Sequence, residues 1–375
     1  MSSSVAPAPV RITGYGVLSA AGIGGKALYE ALRSGSLPAG DGGAAALGGK
    51  AAPPLELLGV PDFDAREHLG RKGLSALSRT STLGMTASEF ALDSLPGLID
   101  PAERADTGVV LGTSTGSARA FSEFFQDTYE QQRPYLVSPS LFPGLLLNHC
   151  ASQVAMRHSF TGVNASLAGG RISSLSALRY ARNILVNGRA KRLLTGGVEE
   201  LSAHSAWAWH HSGVLGDGAV LGEGSAVFVL EHGTSGDAAL AELASCEVAF
   251  SPAEDGPLAV AAALARCVED ALGAAGAVPG DISVVSAGAT GGRGWTAVES
   301  RGRHRALAGH APEVLRVQDV LGETYSASGA LQLAALLAHW EAGDAPEAGA
   351  WGLVTSVGSD GSVAAAVLRR PSATG

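Results

Sequence analysis

The sequence predicts an α/β fold made of two successive, similar halves, residues 1–232 and 233–375. Three observations carry that expectation. Apolar runs of strand character alternate with helical stretches along the whole chain, which favours α/β layers over segregated α+β. The strand-like runs are apolar almost throughout, as in TGVVLG at 107–112 and ISVVSA at 282–287, so both sheet faces are covered. The chain of 375 residues is long for one domain, and a Gly- and Ser-bearing link at 232–237 divides the pattern.

Composition narrows the function. Hydrophobic residues make up 46% and charged residues 16%, so much of the chain is buried. A formal net charge of −9 argues against nucleic acid as a partner. The 26 Lys and Arg residues still allow a local patch for an acidic carrier. Cys150, Cys246 and Cys267 are odd in number and widely spaced, which predicts reduced thiols and no zinc site. The start, MSSSVAPAPV, does not resemble a signal peptide. No stretch of about 18 residues is continuously apolar, so no membrane span is expected and a cytoplasmic protein is the default.

In chain order, VRIT at 10–13 reads as a buried strand broken by Gly14-Tyr15-Gly16, and 27–34 as a helix. A strand followed by GxG suggests a dinucleotide loop, but the third glycine and the acidic residue about twenty positions on are missing. Residues 36–54, rich in Gly, Ala and Pro, read as a mobile surface insertion. An amphipathic helix is expected at 79–94 and a strand at 107–112. Phe121, Phe124, Phe125 and Tyr129 follow at helical spacing, and a buried helix is expected at 145–154. Residues 192–195 read as a strand ending in a turn at Gly196-Gly197, and 222–231 as the last strand of the first half. In the second half, strands are expected at 241–250 and 282–287, and helices at 259–272 and 326–340. A hairpin of 352–357 and 363–368 closes the chain.

The stretch at 164–188, NASLAGGRISSLSALRYARNILVNG, organises the rest. A strand-like run turns at Gly169-Gly170 into a helix with Leu175, Leu178, Ala181 and Leu185 on one face. Asn187-Gly188 supplies its stop. Such a turn is where enzymes mount a nucleophile, because a helix N-terminus stabilises a thiolate or alkoxide. The residue here is Arg171, which cannot be deprotonated and cannot attack.

Several motifs then converge. VRITGYGVLSAAG at 10–22, the F-P…N…AS…A pattern from Phe142 to Ala155, GGVE at 196–199 and GEGSAVFVLE at 222–231 resemble the β-ketoacyl synthases of the thiolase-like superfamily. Within it the likeness is strongest to the chain-length factors of type II polyketide synthases, and it runs almost end to end. The resemblance implies a five-layer αβαβα fold and an obligate dimer. A working ketosynthase carries a Cys nucleophile and two His residues that promote decarboxylation and stabilise the oxyanion. Matching the motifs places the Cys at Arg171, the first His at Gly288 with Glu299 as its anchor, and the second His at Glu323. The supporting Lys falls at Gln318, and the terminal Gly-Phe-Gly-Gly turn has become Gly358-Ser359-Asp360-Gly361. Four functional positions are changed together, so condensation by this chain alone is not expected. Many chain-length factors carry Gln at the nucleophile position, and Arg171 departs from that as well.

The resemblance also implies partners and a second set of residues. An active ketosynthase would complete a heterodimer, an acyl carrier protein would deliver substrate to that partner, and no cofactor or metal is implied. Ala118, Phe121 and Phe125, with Trp207, match the positions that gate a chain-measuring tunnel at the dimer interface; the alternative reading of the Phe residues is ordinary helix core. The chain is short beside members that make aromatic polyketides, which hints at a reduced or polyene product. In the family the Cys and the second His face each other, so the resemblance and the opposite charges of Arg171 and Glu323 together imply an ion pair that plugs the defunct site; the alternative is that Arg171 turns to solvent or to a carboxylate such as Glu199. Ser173 and Ser174 read as helix-start residues rather than nucleophiles. His204, His210 and His211 beside Trp207 and Trp209 read as a surface or interface loop, not a metal site. GATGGRG at 288–294 lacks the GK[ST] ending of a phosphate loop and reads as filler for the lost His loop.

Overall fold

The computed structural model describes residues 9–38, 40, 42–233, 239–288, 292, 294–342 and 348–371. Most of the 232–237 link and most of 288–294 therefore lie outside the described residues. The first half contributes strands Val10–Ser19, Thr107–Gly112, Asn164–Leu167, Arg192–Glu199 and Gly224–His232 to the main sheet. The second contributes Ala241–Phe250, Ile282–Ala287, Glu313–Arg316, Trp351–Val357 and Ser362–Arg369. In both halves the third strand lies outermost, followed by the second, fourth, fifth and first. In both, the second strand runs parallel to the third and fourth, and the fifth pairs antiparallel with the fourth and first. The two first strands meet at Arg11–Glu242 and Ile12–Ala241, joining the halves into one 11-stranded sheet that also includes the short strand Gly22–Ile23.

Five layers result. Helices Ser173–Val186 and Ser328–Glu341 pack against each other between the strands of the two halves. Arg79–Asp93 and His149–His158 cover the outer face of the first half, and Pro257–Ala275 and Trp295–Ala306 that of the second. Three apolar clusters fill the spaces between layers. The central one holds Leu175, Leu178, Ala181 and Leu185, the predicted face of the organising helix. That helix stops as its sequence indicates, with Asn187 at its cap and Gly188 at φ 66°. This is the thiolase-like αβαβα arrangement.

Several local readings are corrected. The first strand continues through Gly14-Tyr15-Gly16 to Ser19 with only a bulge between Ile12 and Gly14. Its glycines serve close packing: a Cβ on Gly16 would lie 2.2 Å from Ala87 O, and one on Gly14 2.6 Å from Ala91 O. Gly196 and Gly197 likewise sit inside a strand that runs to Glu199, where a Cβ on Gly197 would meet Ser174 Cβ at 2.6 Å. Helix Arg79–Asp93 is buried on every side over 80–88 rather than amphipathic there, because it fills the outer layer. The helix expected at 145–154 begins only at His149, and Leu146 and Leu147 before it are exposed. Within 36–54 a short helix Gly42–Leu47 buries Ala46 and Leu47, so that segment is partly anchored. Phe121 and Phe125 are 52% and 44% exposed, which removes the helix-core reading for this chain by itself.

Candidate functional site

Arg171 lies two residues before helix Ser173–Val186, at the turn following strand Asn164–Leu167. Gly170 allows the turn with φ 61°. The Arg171 side chain is only 4% exposed. Its Nη1 donates to Glu323 Oε2, and its Nη2 donates to Gly288 O at 2.8 Å. Glu323 is 5% exposed, and its second oxygen accepts from Tyr325 N at 2.7 Å. Its backbone is fixed as well: Glu323 N donates to Val220 O at 2.8 Å, and Glu323 O accepts from Gly222 N at 2.9 Å. The pair is a buried, clamped ion pair rather than a surface contact.

Three sequence-predicted positions thus meet at one point: Arg171, Gly288 and Glu323. Glu299 accepts from Gly288 N at 2.9 Å and from Thr355 Oγ1 at 2.6 Å. Burial raises its pKa, and those hydrogen bonds hold part of the shift back. A Cβ on Gly288 would lie 2.8 Å from both Gln332 Oε1 and Thr355 O, so this backbone has no room for an imidazole. Gln318 is buried on the short helix Val317–Leu321, and its amide atoms bond no described group. At the turn 358–361, Asp360 Oδ1 accepts from Ser362 N and Oγ.

A cavity of about 30 Å³ remains beside the ion pair, lined by Arg171, Glu323, Tyr325, Trp209, Trp295 and Leu215 among others. It has room for about one or two waters and none for an acyl chain. Among the described residues, the two serines that follow Arg171 are taken up by backbone contacts. Ser173 is fully buried; its hydroxyl donates to Gly170 O at 2.6 Å and accepts from Gly169 N at 2.9 Å. Ser174 Oγ accepts from Ala330 N. All three cysteines are buried thiols, and burial pushes Cys150 and Cys267 up to about 12. Among the described residues, no cluster of three or more His, Cys, Asp or Glu side chains is placed to hold a metal ion. None of their helices is long and apolar enough to cross a membrane.

Beside the ion pair lies a set of buried acids that the sequence reading mostly missed. Glu199 accepts from the hydroxyls of Thr115 and Ser326 instead of meeting Arg171, and burial pushes its pKa up to about 7. Glu200 accepts from Ser117 Oγ, Thr80 Oγ1 and the backbone of Thr80 and Arg119; burial raises its pKa too. Glu223 is fully buried and pairs with Arg79, whose Nε donates at 2.8 Å. The only local signal was two acids directly after an apolar strand in GGVEE.

The tunnel-gate candidates lie on two other helices. Ala118, Phe121 and Phe125 share helix Ala118–Glu130, and the Phe121 and Phe125 ring centroids are 4.5 Å apart. Trp207 is on helix Ala203–Ser212, which packs beside it. Its indole N–H donates to Ala51 O at 3.0 Å, and its ring contacts His210 and His211 rather than the Phe rings.

A thiolase-like scaffold with a buried Arg171–Glu323 ion pair at the turn before its central helix is the class this fold and site define. The chain belongs to the β-ketoacyl synthase family. The family's N-terminal domain model matches residues 8–235 and its C-terminal domain model residues 240–348. The chain is 34% identical to a chain of the ishigamide ketosynthase/chain length factor structure, with TM-score 0.83, covering 97% of this chain and 99% of that one. It is 28% identical over 332 residues to the actinorhodin polyketide beta-ketoacyl synthase 2 of Streptomyces coelicolor, covering 81% of this chain and 79% of that one. It is also 28% identical to the granaticin counterpart of Streptomyces violaceoruber, covering 75% and 71%.

Proposed function

We propose that this chain is a chain-length factor. It would pair with an active, Cys-bearing ketosynthase, perform no condensation itself, and wall the tunnel that measures a growing polyketide. One observation carries the reading. Arg171, which the sequence motifs match to the family's nucleophile, is held in a buried pair with Glu323, and about 30 Å³ is left beside it. Pairing has a surface to use. Phe121, Phe125, Tyr129, Tyr135, Leu141, Phe142, Leu146 and Leu147 are exposed between 118 and 147. Such clustering of large apolar groups on a soluble fold marks an interaction face. Among the described residues, strand Asn164–Leu167 is the last strand at one end of the sheet, and a partner strand can extend its edge. An acyl carrier protein would then load the ketosynthase, in a cytoplasmic complex. We assign the two halves to residues 1–232 and 233–375, a division supported by their shared strand order.

Co-expression tests the proposal. The chain should copurify in equal amount with a ketosynthase that has Cys, His and His at the positions lost here. The complex should make a product of defined length. Turnover of acyl-thioesters by the purified chain alone, or a covalent acyl adduct on it during turnover, would overthrow the reading.

A further inference from the structure

The buried ion pair leaves one donor over. Arg171 Nη1 and Nη2 are bonded to Glu323 and Gly288 O, but Nε, on a side chain only 4% exposed, bonds no described group. A buried N–H without an acceptor is costly, and folded proteins nearly always supply one. Arg171 also lines the cavity of about 30 Å³, whose aromatic and apolar walls include Trp209, Trp295, Leu215 and Tyr325. Among the described residues lining it, Glu323 is the one acid, and both its oxygens are engaged, with Arg171 and with Tyr325 N. An occupant of this space must therefore bring its own acceptor.

The electrostatics favour a charged acceptor. Helix Ser173–Val186 starts two residues after Arg171 and helix Ser328–Glu341 five after Glu323, and their first turns touch through Ser174 Oγ and Ala330 N at 3.1 Å. Each helix N-terminus carries a partial positive charge of about half a unit. Together with the guanidinium, the two ends outweigh the single carboxylate of Glu323. The neighbouring acids Glu199 and Glu299 do not make up the difference, because burial raises the pKa of both and so favours their neutral forms. The wall itself is built under strain. Tyr325 has φ 44°, left-handed backbone that a residue with a ring rarely adopts, and its ring stands edge-on to Trp209 with centroids 5.0 Å apart.

We propose that this cavity is a binding site for a small monovalent anion, of the size of chloride or formate, which accepts from Arg171 Nε and completes the plug. The site stands on the geometry alone and does not depend on the chain-length-factor reading. Room for about one or two waters admits such an ion and excludes sulfate and phosphate. Glu323 holds the Nη1 corner of the guanidinium, so the ion and the carboxylate share the cation without competing for one donor.

The test is thermal unfolding at fixed ionic strength, with gluconate, too large to enter, replaced stepwise by chloride. It is run on the copurified complex, or on the chain alone if it purifies without a partner. Each tenfold rise in chloride above its dissociation constant should lift Tm by about 2 °C. Bromide should act alike, and crystals grown in bromide should show its anomalous signal within hydrogen-bonding reach of Arg171 Nε. Leu215→Phe fills the cavity while keeping both members of the ion pair, and should abolish the Tm response and the bromide signal. Where that variant folds poorly, Ser359→Leu fills the same space from an exposed turn, with the same loss expected. A cavity holding only water in the bromide crystals would overturn the site. So would a chloride response that persists in the filled variants, since the ion would then bind elsewhere. A bromide signal without a Tm response would mean an adventitious ion only, and would overturn it too. None of these results touches the chain-length-factor reading, which stands or falls on copurification and product.

Discussion

Replacing Glu323 by Gln tests the ion pair with the least collateral change. The amide keeps the shape of the carboxylate, and its oxygen can still accept from Tyr325 N. What it loses is the charge opposite Arg171. An arginine guanidinium stays charged in proteins and cannot neutralise itself by losing a proton. It is 4% exposed, and its remaining partner is Gly288 O at 2.8 Å. Removing one member of a buried pair costs about 3–5 kcal/mol. With an unfolding entropy of about 2.1 cal/mol/K per residue, 4 kcal/mol on a chain of this length lowers Tm by about 5 °C. The assay is thermal unfolding of the copurified complex, with the partner unchanged. The double variant Arg171→Met/Glu323→Leu removes both charges and leaves apolar groups of similar volume. Such replacements are neutral or stabilising by about 1–4 kcal/mol. The double variant should therefore recover most of the loss. A Glu323→Gln complex melting within about 1 °C of the parent would refute the argument. So would a double variant no better than the single one, since the defect would then be packing rather than an orphaned charge.

Arg171→Cys should not restore condensation or accept an acyl group in a mass-spectrometric adduct assay, because a side chain at Gly288 has no room. Glu199 contributes a pH dependence of definite sign. Its folded pKa, about 7, lies above that of an unfolded carboxylate. Its contribution is therefore full below about pH 4.3 and is lost as pH rises through about 7, on the order of 3 kcal/mol in total. Glu199→Gln should flatten that part of the stability profile in denaturant titrations between pH 5 and 8; an unchanged slope would mean that Glu199 titrates normally. Phe121→Asp with Phe125→Asp should lower the yield of copurified ketosynthase at least tenfold, because each ring contributes about 1.5–3 kcal/mol when fully covered. Full recovery of the complex would remove both rings from the interface.

The parts of the fold that were legible in the sequence are those with local causes. The organising helix shows its buried face by spacing and its end by Asn187-Gly188. The parts misread have causes far away in the chain. A glycine in a strand signals either a turn or a close neighbour, and the sequence does not say which. At Gly14 and Gly16 the neighbour is helix Arg79–Asp93, more than sixty residues on. That helix in turn looked amphipathic because small polar residues such as Thr80, Ser81 and Ser88 read as a solvent face. They are buried because their hydroxyls find partners, Ser88 on Gly84 O and Thr80 on Gly116 O. The buried acids follow the same rule: Glu199 and Glu200 reach hydroxyls 84 and 83 positions away, which no periodicity can announce. Arg171 and Glu323 are 152 positions apart and became a candidate pair by another route. The motifs placed each at a position that faces the other, and opposite charges at two facing buried positions satisfy each other where either alone would be costly. The exposed Phe rings mark the remaining limit. Their spacing announces a helix with an apolar face, but not that this chain leaves the rings of Phe121 and Phe125 exposed.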